Sequence, residues 1–234
     1  MPANKSEGTG PAPVDLSQRA HRLLIGWLGC SLPFLLYAIA GLRFTAGLTE
    51  WKLLDSVSAY YHTGAVGVFI GVLFALSLFL FTYRGYSGVR ADQLVGGLGG
   101  ASALGVALFP TAAPAGLCNP TWWTVSLGYI HYTSAVLLFV SFILFAIWLF
   151  RKSSVARRRD RPFEKRTRDD LCLVCGIVMI VCLLWAALAS YRHSPIFWPE
   201  AIAIEAFAIS WLLKGEAYQP VFSLMRRMSR QGRG

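Results

Sequence analysis

The chain alternates long apolar runs with short polar connectors, and the apolar runs recur six times. A helix crossing a bilayer needs about 20 predominantly apolar residues. Stretches of that kind cover residues 23–42, 65–83, 94–110, 128–150, 171–190 and 196–213, the third and sixth being the shortest. The pattern predicts an all-α polytopic membrane protein, with six transmembrane helices in one bundle over residues 19–215. Residues 1–18, rich in Pro, Gly and polar side chains, read as a disordered tail. Residues 216–234 form a basic tail in which Val221, Leu224, Met225 and Met228 fall at helical spacing between arginines. That tail is either an interfacial helix or a frayed basic end.

Composition agrees with this reading. Of the 234 residues, 55% are hydrophobic and only 15% charged, where a soluble domain carries about 25% charge. The connectors leave no room for a soluble domain. Span one is longer than the apolar core of a signal peptide, so it is expected to stay as a span. Within span three, Gly96 and Gly100 form G-x-x-x-G, and Gly97, Ala101 and Gly105 extend the small surface. In lipid, such residues let helix backbones approach closely. Span three is therefore expected either at the centre of the bundle or at a contact between copies.

Charge supplies orientation. Nineteen of the 22 Lys and Arg residues lie in the two tails and in the connectors after spans two and four; Arg43, Lys52 and Arg192 are the exceptions. This asymmetry is the positive-inside signature, and it predicts cytoplasmic termini. The net charge of +10 follows from that topology and from attraction to anionic lipid, so nucleic acid is not expected as a partner. Cys30, Cys172, Cys175 and Cys182 fall within spans and only Cys118 in an outward connector, which excludes an internal disulfide framework. The C-x-x-C of LCLVC lies in an apolar helix without His or acid beside it and reads as packing between helices.

Candidate chemistry gathers on the outward side, around DSVSAYYHTG at residues 55–64. Read as the first turns of a helix entering span two, Asp55, Ser58 and His62 share one face. A rise of about 1.5 Å per residue separates Asp55 from His62 by roughly 10 Å. The acid of a Ser-His-Asp triad must touch the histidine, so any acid for His62 must come from another span. Glu205, in the middle of span six, is such a carboxyl, and intramembrane acids are costly unless paired. His131 opens span four, and His193 lies beside Arg192 in the last outward connector. The expected pocket comprises Ser58, Tyr61, His62, His131 and Glu205, with Arg192 and His193 at its rim.

Three functions fit this set. The leading one is binding of a membrane lipid, or of another membrane protein or a second copy, without catalysis. Tyr60, Tyr61, Trp122, Trp123, Trp198, Arg192 and Lys52 would then ring the cavity at headgroup height. The second is a metal-dependent hydrolase of a lipid or amide. His62 and His131 would ligate zinc, and Glu205 would be ligand or general base; Ser58, His62 and Glu205 are the catalytic candidates. The third is a b-type haem held between His62 and His131.

The segments SVSAYYHT, TYRGY, GYIHYTSA and EAFAISWLLKG resemble a group of uncharacterised bacterial six-span membrane proteins. The layout is more distantly similar to families of unknown function akin to the damage-regulated autophagy modulators. The resemblance covers most of residues 23–215 and implies a multi-pass protein of the bacterial inner membrane. It highlights Ser58, His62, His131 and Glu205 and implies no activity. A fainter similarity reaches the alkaline ceramidase and progestin-adipoQ receptor superfamily, whose metal-dependent members carry two histidines four apart in the last span; span six here has none.

Overall fold

The computed structural model describes residues 13–42, 53–84, 90–152 and 163–215. The basic C-terminal tail, Arg43 and Lys52 lie outside them. The regular structure of the described residues is all helical, without strands: α1 (Pro13–Leu42), α2 (Val66–Thr82), α3 (Arg90–Leu108), α4 (Val125–Leu144), α5 (Phe163–Tyr191) and α6 (Phe197–Lys214). A short 3₁₀ turn spans Ser58–His62, and a π turn at Phe145–Leu149 extends α4. Each of the six apolar runs coincides with one of these helices and overruns it by at most two residues at either end. Among the described residues three helical stretches are long and apolar enough to cross a membrane: Arg19–Leu42, Val125–Leu149 and Phe163–Tyr191. α1 starts at Pro13, inside the stretch expected to be disordered; proline suits a first helical turn because its missing N–H would have no partner there.

Successive helices pack side by side, and α1 returns to α6, so the six form a closed ring with α4 touching α6 across it. The chain alternates between two ends. At one end, the Lys214 ammonium donates to the Phe150 carbonyl at 3.3 Å, Arg19 Nε donates to Gly215 O at 3.2 Å, and Lys152 pairs with Asp92 at 3.3 Å. His21 Nε2 contacts Phe79 O at this end, at 2.8 Å. At the other end the 3₁₀ turn, the connector after α3 and the α5–α6 turn meet. Ile196 N–H donates there to Asp55 O at 2.6 Å.

Aromatic rings fill the ring's interior. Trp211 is fully buried, with Tyr83, Phe145 and Phe150 at centroid distances of 4.9, 5.2 and 5.0 Å. Phe142 stacks on Phe207 at 3.4 Å and 16°, joining α4 to α6. Such contacts add to area burial when the geometry is offset or edge-on. The outer surfaces expose Leu24, Trp27, Phe34, Leu78, Val136, Ile177, Leu184 and many similar side chains. A soluble monomer does not carry apolar surface on that scale.

The small face of α3 is narrower than its sequence suggests. A Cβ on Gly96 would lie 2.7 Å from the Leu80 carbonyl oxygen, and one on Gly100 3.0 Å from that of Ser77, so both glycines permit contact with α2. Ser77 Oγ donates to Gly100 O at 2.8 Å across this contact. Gly97 has nothing within 4 Å and Ala101 is exposed. A step of about 100° per residue turns these two away from α2. On the α4 side, Gly99 faces Ser141 and Gly105 faces Ser134, so α3 is held between α2 and α4.

Candidate functional site

The segment before α2 is not the helix extension expected from its sequence. Asp55, Ser56 and Val57 form a bend, Ser58–His62 a 3₁₀ turn, and α2 begins only at Val66. Local hydroxyls account for this. Ser56 Oγ accepts from Ala59 N–H at 3.0 Å at the start of the turn. Thr63 Oγ1 donates to Tyr60 O at 2.8 Å and accepts from Ala65 N–H at 3.1 Å at its end. Short polar side chains that bond nearby backbone in this way compete with helix continuation. Tyr60 is fully buried and anchors the turn, its hydroxyl facing Leu54 N–H at 3.5 Å.

This geometry turns Ser58 toward α4. Ser58 Oγ lies 3.0 Å from His131 Nε2, and His131 Nδ1 lies 2.6 Å from the Phe109 carbonyl. A carbonyl only accepts, so the Nδ1 proton is assigned to the Phe109 bond and Nε2 is left with its lone pair. Ser58 O–H is then the donor to Nε2. His131 is 1% exposed and Ser58 9%. The Phe109 carbonyl is available because α3 ends at Leu108 and residue 110 is proline, which has no N–H and cannot continue a helix.

His62 stands beside this pair without joining it. Its Nε2 contacts Thr111 O at 3.0 Å, its ring packs edge-on to Tyr61 at 5.5 Å, and Tyr61 packs in turn against Phe69 at 6.1 Å. Burial lowers the His62 pKa, outweighing the opposing pull of the Thr111 and Cys118 carbonyls. His62 thus ties the 3₁₀ turn to the connector after α3. The same connector is held by Trp123 Nε1, which donates to Pro110 O at 3.0 Å.

The carboxyl that reaches the turn is Glu200, one helical turn into α6, and not Glu205. Glu200 Oε2 accepts from Val57 N–H at 2.7 Å and also faces the Ser58 amide. Nothing in the α6 sequence distinguishes this acid from a solvated first-turn residue; only the return of the turn onto α6 gives it a role. Glu205 lies a turn and a half further along, facing the Cys30 thiol of α1, and its Oε1 is buried without a hydrogen-bond partner. Arg192 and His193 are exposed in the α5–α6 turn, where His193 takes a left-handed backbone at φ 53°. They do not line the Ser58–His131 pair.

The expected convergence of His62, His131 and Glu205 is therefore not found. Among the described residues no group of three His, Cys, Asp or Glu side chains is arranged to hold a metal ion. The donor set does not fit zinc, because both His131 nitrogens are committed to Ser58 and Phe109 and the carboxylate is elsewhere. The same commitments leave His131 no nitrogen for a haem iron. Cys172, Cys175 and Cys182 are buried free thiols on α5.

Two cavities adjoin these groups. One, of about 60 Å³, lies inside the ring with Ser58 and Glu200 at its polar end and an apolar wall that includes Leu32, Phe69, Leu76, Phe139 and Phe207. The other, of about 480 Å³, is a cleft between α1 and α6, lined by Pro33, Phe34, Tyr37, Leu53, Trp198 and Ile202, with Glu205 as its only acid. The chain matches no protein-family profile, and no curated protein or solved structure shows detectable similarity to it.

Proposed function

We propose that this is a six-span protein of a bacterial inner membrane, akin to the uncharacterised group whose S-x-S-x-Y-Y-H-type segment it carries. Its function, on this reading, is to bind an amphiphilic lipid in the α1–α6 cleft without chemistry there. All six helices carry exposed apolar surface, and the basic residues gather at one end. Both features support six spans with cytoplasmic termini, and the cleft, running from Leu53 and Trp198 inward, then opens on the outer leaflet.

The observation that carries the lipid reading is the combination of an apolar cleft of about 480 Å³ with a single carboxyl whose Oε1 has no partner. Ligand sites are typically ~300–1,000 Å³, mostly apolar, with few polar groups that fix orientation. An alkyl or isoprenoid body fits the wall formed by Phe34, Ile202 and Trp198, and a donor such as a hydroxyl, amide or ammonium meets Glu205. The cleft lining holds no cationic side chain to pair with a phosphate, so the ligand is a neutral or cationic amphiphile. Arg192, a rim candidate for phosphate, is not among the cleft's lining residues.

The test uses the full chain in nanodiscs with a photoreactive long-chain alcohol or amine. Crosslinks are expected on Phe34, Tyr37 and Trp198. Glu205→Ala should weaken retention about 10- to 150-fold, the loss of a hydrogen bond to a charged group. Crosslinks scattered over the outer surface and unaffected by Glu205→Ala overturn the reading. Orientation is checked separately. Exposed Cys118 should react in intact cells with a maleimide that cannot cross the membrane; labelling only after lysis reverses the topology.

A further inference from the structure

The Ser58–His131 pair takes no part in the lipid reading above, yet it has the arrangement of an activated nucleophile. Three observations meet there. The first is the 3.0 Å contact in which the hydroxyl donates to Nε2. The second is what stands behind the imidazole, where a triad would place an acid. Nδ1 is fixed by the Phe109 carbonyl at 2.6 Å, and the Val106 carbonyl of the same helix end faces the ring. These two carbonyls fix the tautomer and orientation of the ring, one of the services an acid supplies in a triad. The third is the apolar cavity that begins at Ser58 and runs inward past Leu32, Phe69 and Phe139.

We infer that Ser58 is a nucleophile for acyl transfer, with His131 as its general base and the adjoining cavity as the seat of the first methylenes of an acyl chain. The substrate class is an ester of a fatty acid with a lipid alcohol. Ser58 Oγ attacks the ester carbonyl carbon while its proton passes to His131 Nε2. The carbonyl–alkoxy bond breaks, the alcohol leaves with that proton, and the acyl group remains on Ser58 as an ester. Water, deprotonated by His131, then attacks the acyl carbon; Ser58 Oγ departs, takes the proton back, and a free acid is released. The apolar wall next to Ser58 receives the first methylenes of the chain. Glu200 is a positioning residue: by accepting from Val57 N–H at 2.7 Å it holds the 3₁₀ turn on which Ser58 sits. The inference is independent of the α1–α6 cleft, because it uses neither Glu205 nor Trp198.

The test is covalent labelling of the full chain in nanodiscs by a long-chain alkyl fluorophosphonate, read by intact mass and peptide mapping. Wild-type protein should gain one adduct, on Ser58, and Ser58→Ala should gain none. His131→Gln keeps an acceptor for the hydroxyl but cannot take its proton, so labelling should slow by about 100-fold or more. Trp fluorescence melts of each variant confirm that the protein tested is folded. A wild-type protein that melts cooperatively and takes no adduct overturns the inference. So does an adduct on another residue, or labelling of His131→Gln at the wild-type rate, which would leave the pair a purely structural hydrogen bond.

Discussion

Gly96 and Gly97 are neighbours on α3 and should respond to the same substitution in opposite directions. Gly96→Ala places a Cβ 2.7 Å from the Leu80 carbonyl oxygen, closer than real Cβ atoms are found, and the obstacle is backbone that cannot rotate aside. Overpacking of this kind costs about 1–3 kcal/mol. Gly97→Ala meets nothing within 4 Å. Both changes gain the same helix propensity, roughly 1 kcal/mol, so that contribution cancels when the two variants are compared. The difference left is the steric one, about 1–3 kcal/mol in favour of Gly97→Ala. For a chain of this size 1 kcal/mol moves a melting point by about 2–4 °C, which puts the two variants roughly 2–12 °C apart. The assay is thermal unfolding of purified protein in mild detergent, followed by tryptophan fluorescence. Gly97→Ala should melt at or above wild type, with Gly96→Ala below it. A Gly97→Ala protein melting at or below Gly96→Ala would refute the close α2–α3 approach.

Two further outcomes follow from the packing and from the end that carries the 3₁₀ turn. Phe207→Ala removes a ring that is 1% exposed and stacked on Phe142, and should cost about 3–5 kcal/mol in denaturant unfolding. Ile202→Ala, at a side chain 40% exposed in the cleft, should cost far less; equal losses would mean that the α4–α6 stack does not form. His62 has its pKa lowered on folding by burial, so the unfolded chain binds its proton more readily. The sign is therefore loss of stability as pH falls below the ordinary histidine value of about 6.5. His62→Gln should flatten the acid side of the stability–pH curve, and an unchanged slope there would contradict the burial of this imidazole.

The positions of the helices were legible because an apolar run long enough to span lipid has few other uses. All six runs coincide with helices to within two residues of overhang, and DSVSAYYHTG sits at the end where the connector after α3 and the α5–α6 turn meet. What pairs with what was not legible. Ser58 and His62 look like neighbours if the segment is α-helical, but Ser56 and Thr63 bend it into a 3₁₀ turn, which redirects Ser58 to His131, 73 positions away. Glu205 drew attention by its depth in an apolar run, whereas nothing in the sequence singled out Glu200. Which carboxyl touches the turn depends on where residues 53–57 fold back onto α6, and Ile196 N–H on Asp55 O fixes that place. Proline at 110, which frees the Phe109 carbonyl for His131, is visible in the sequence, but its partner is not.

The ring closes by bringing the first helix against the last. During synthesis, α1 has α2 as a neighbour long before α6 exists, so the α1–α6 seam is the final one to form. A joint assembled last is also the one whose opening disturbs no other pair of consecutive helices. Pro33 weakens the α1 side of that joint, since it withholds a backbone donor midway along the helix. On the lipid-binding proposal, the wall bearing Glu205 is then the door through which a molecule dissolved in the bilayer enters sideways, without first passing through water.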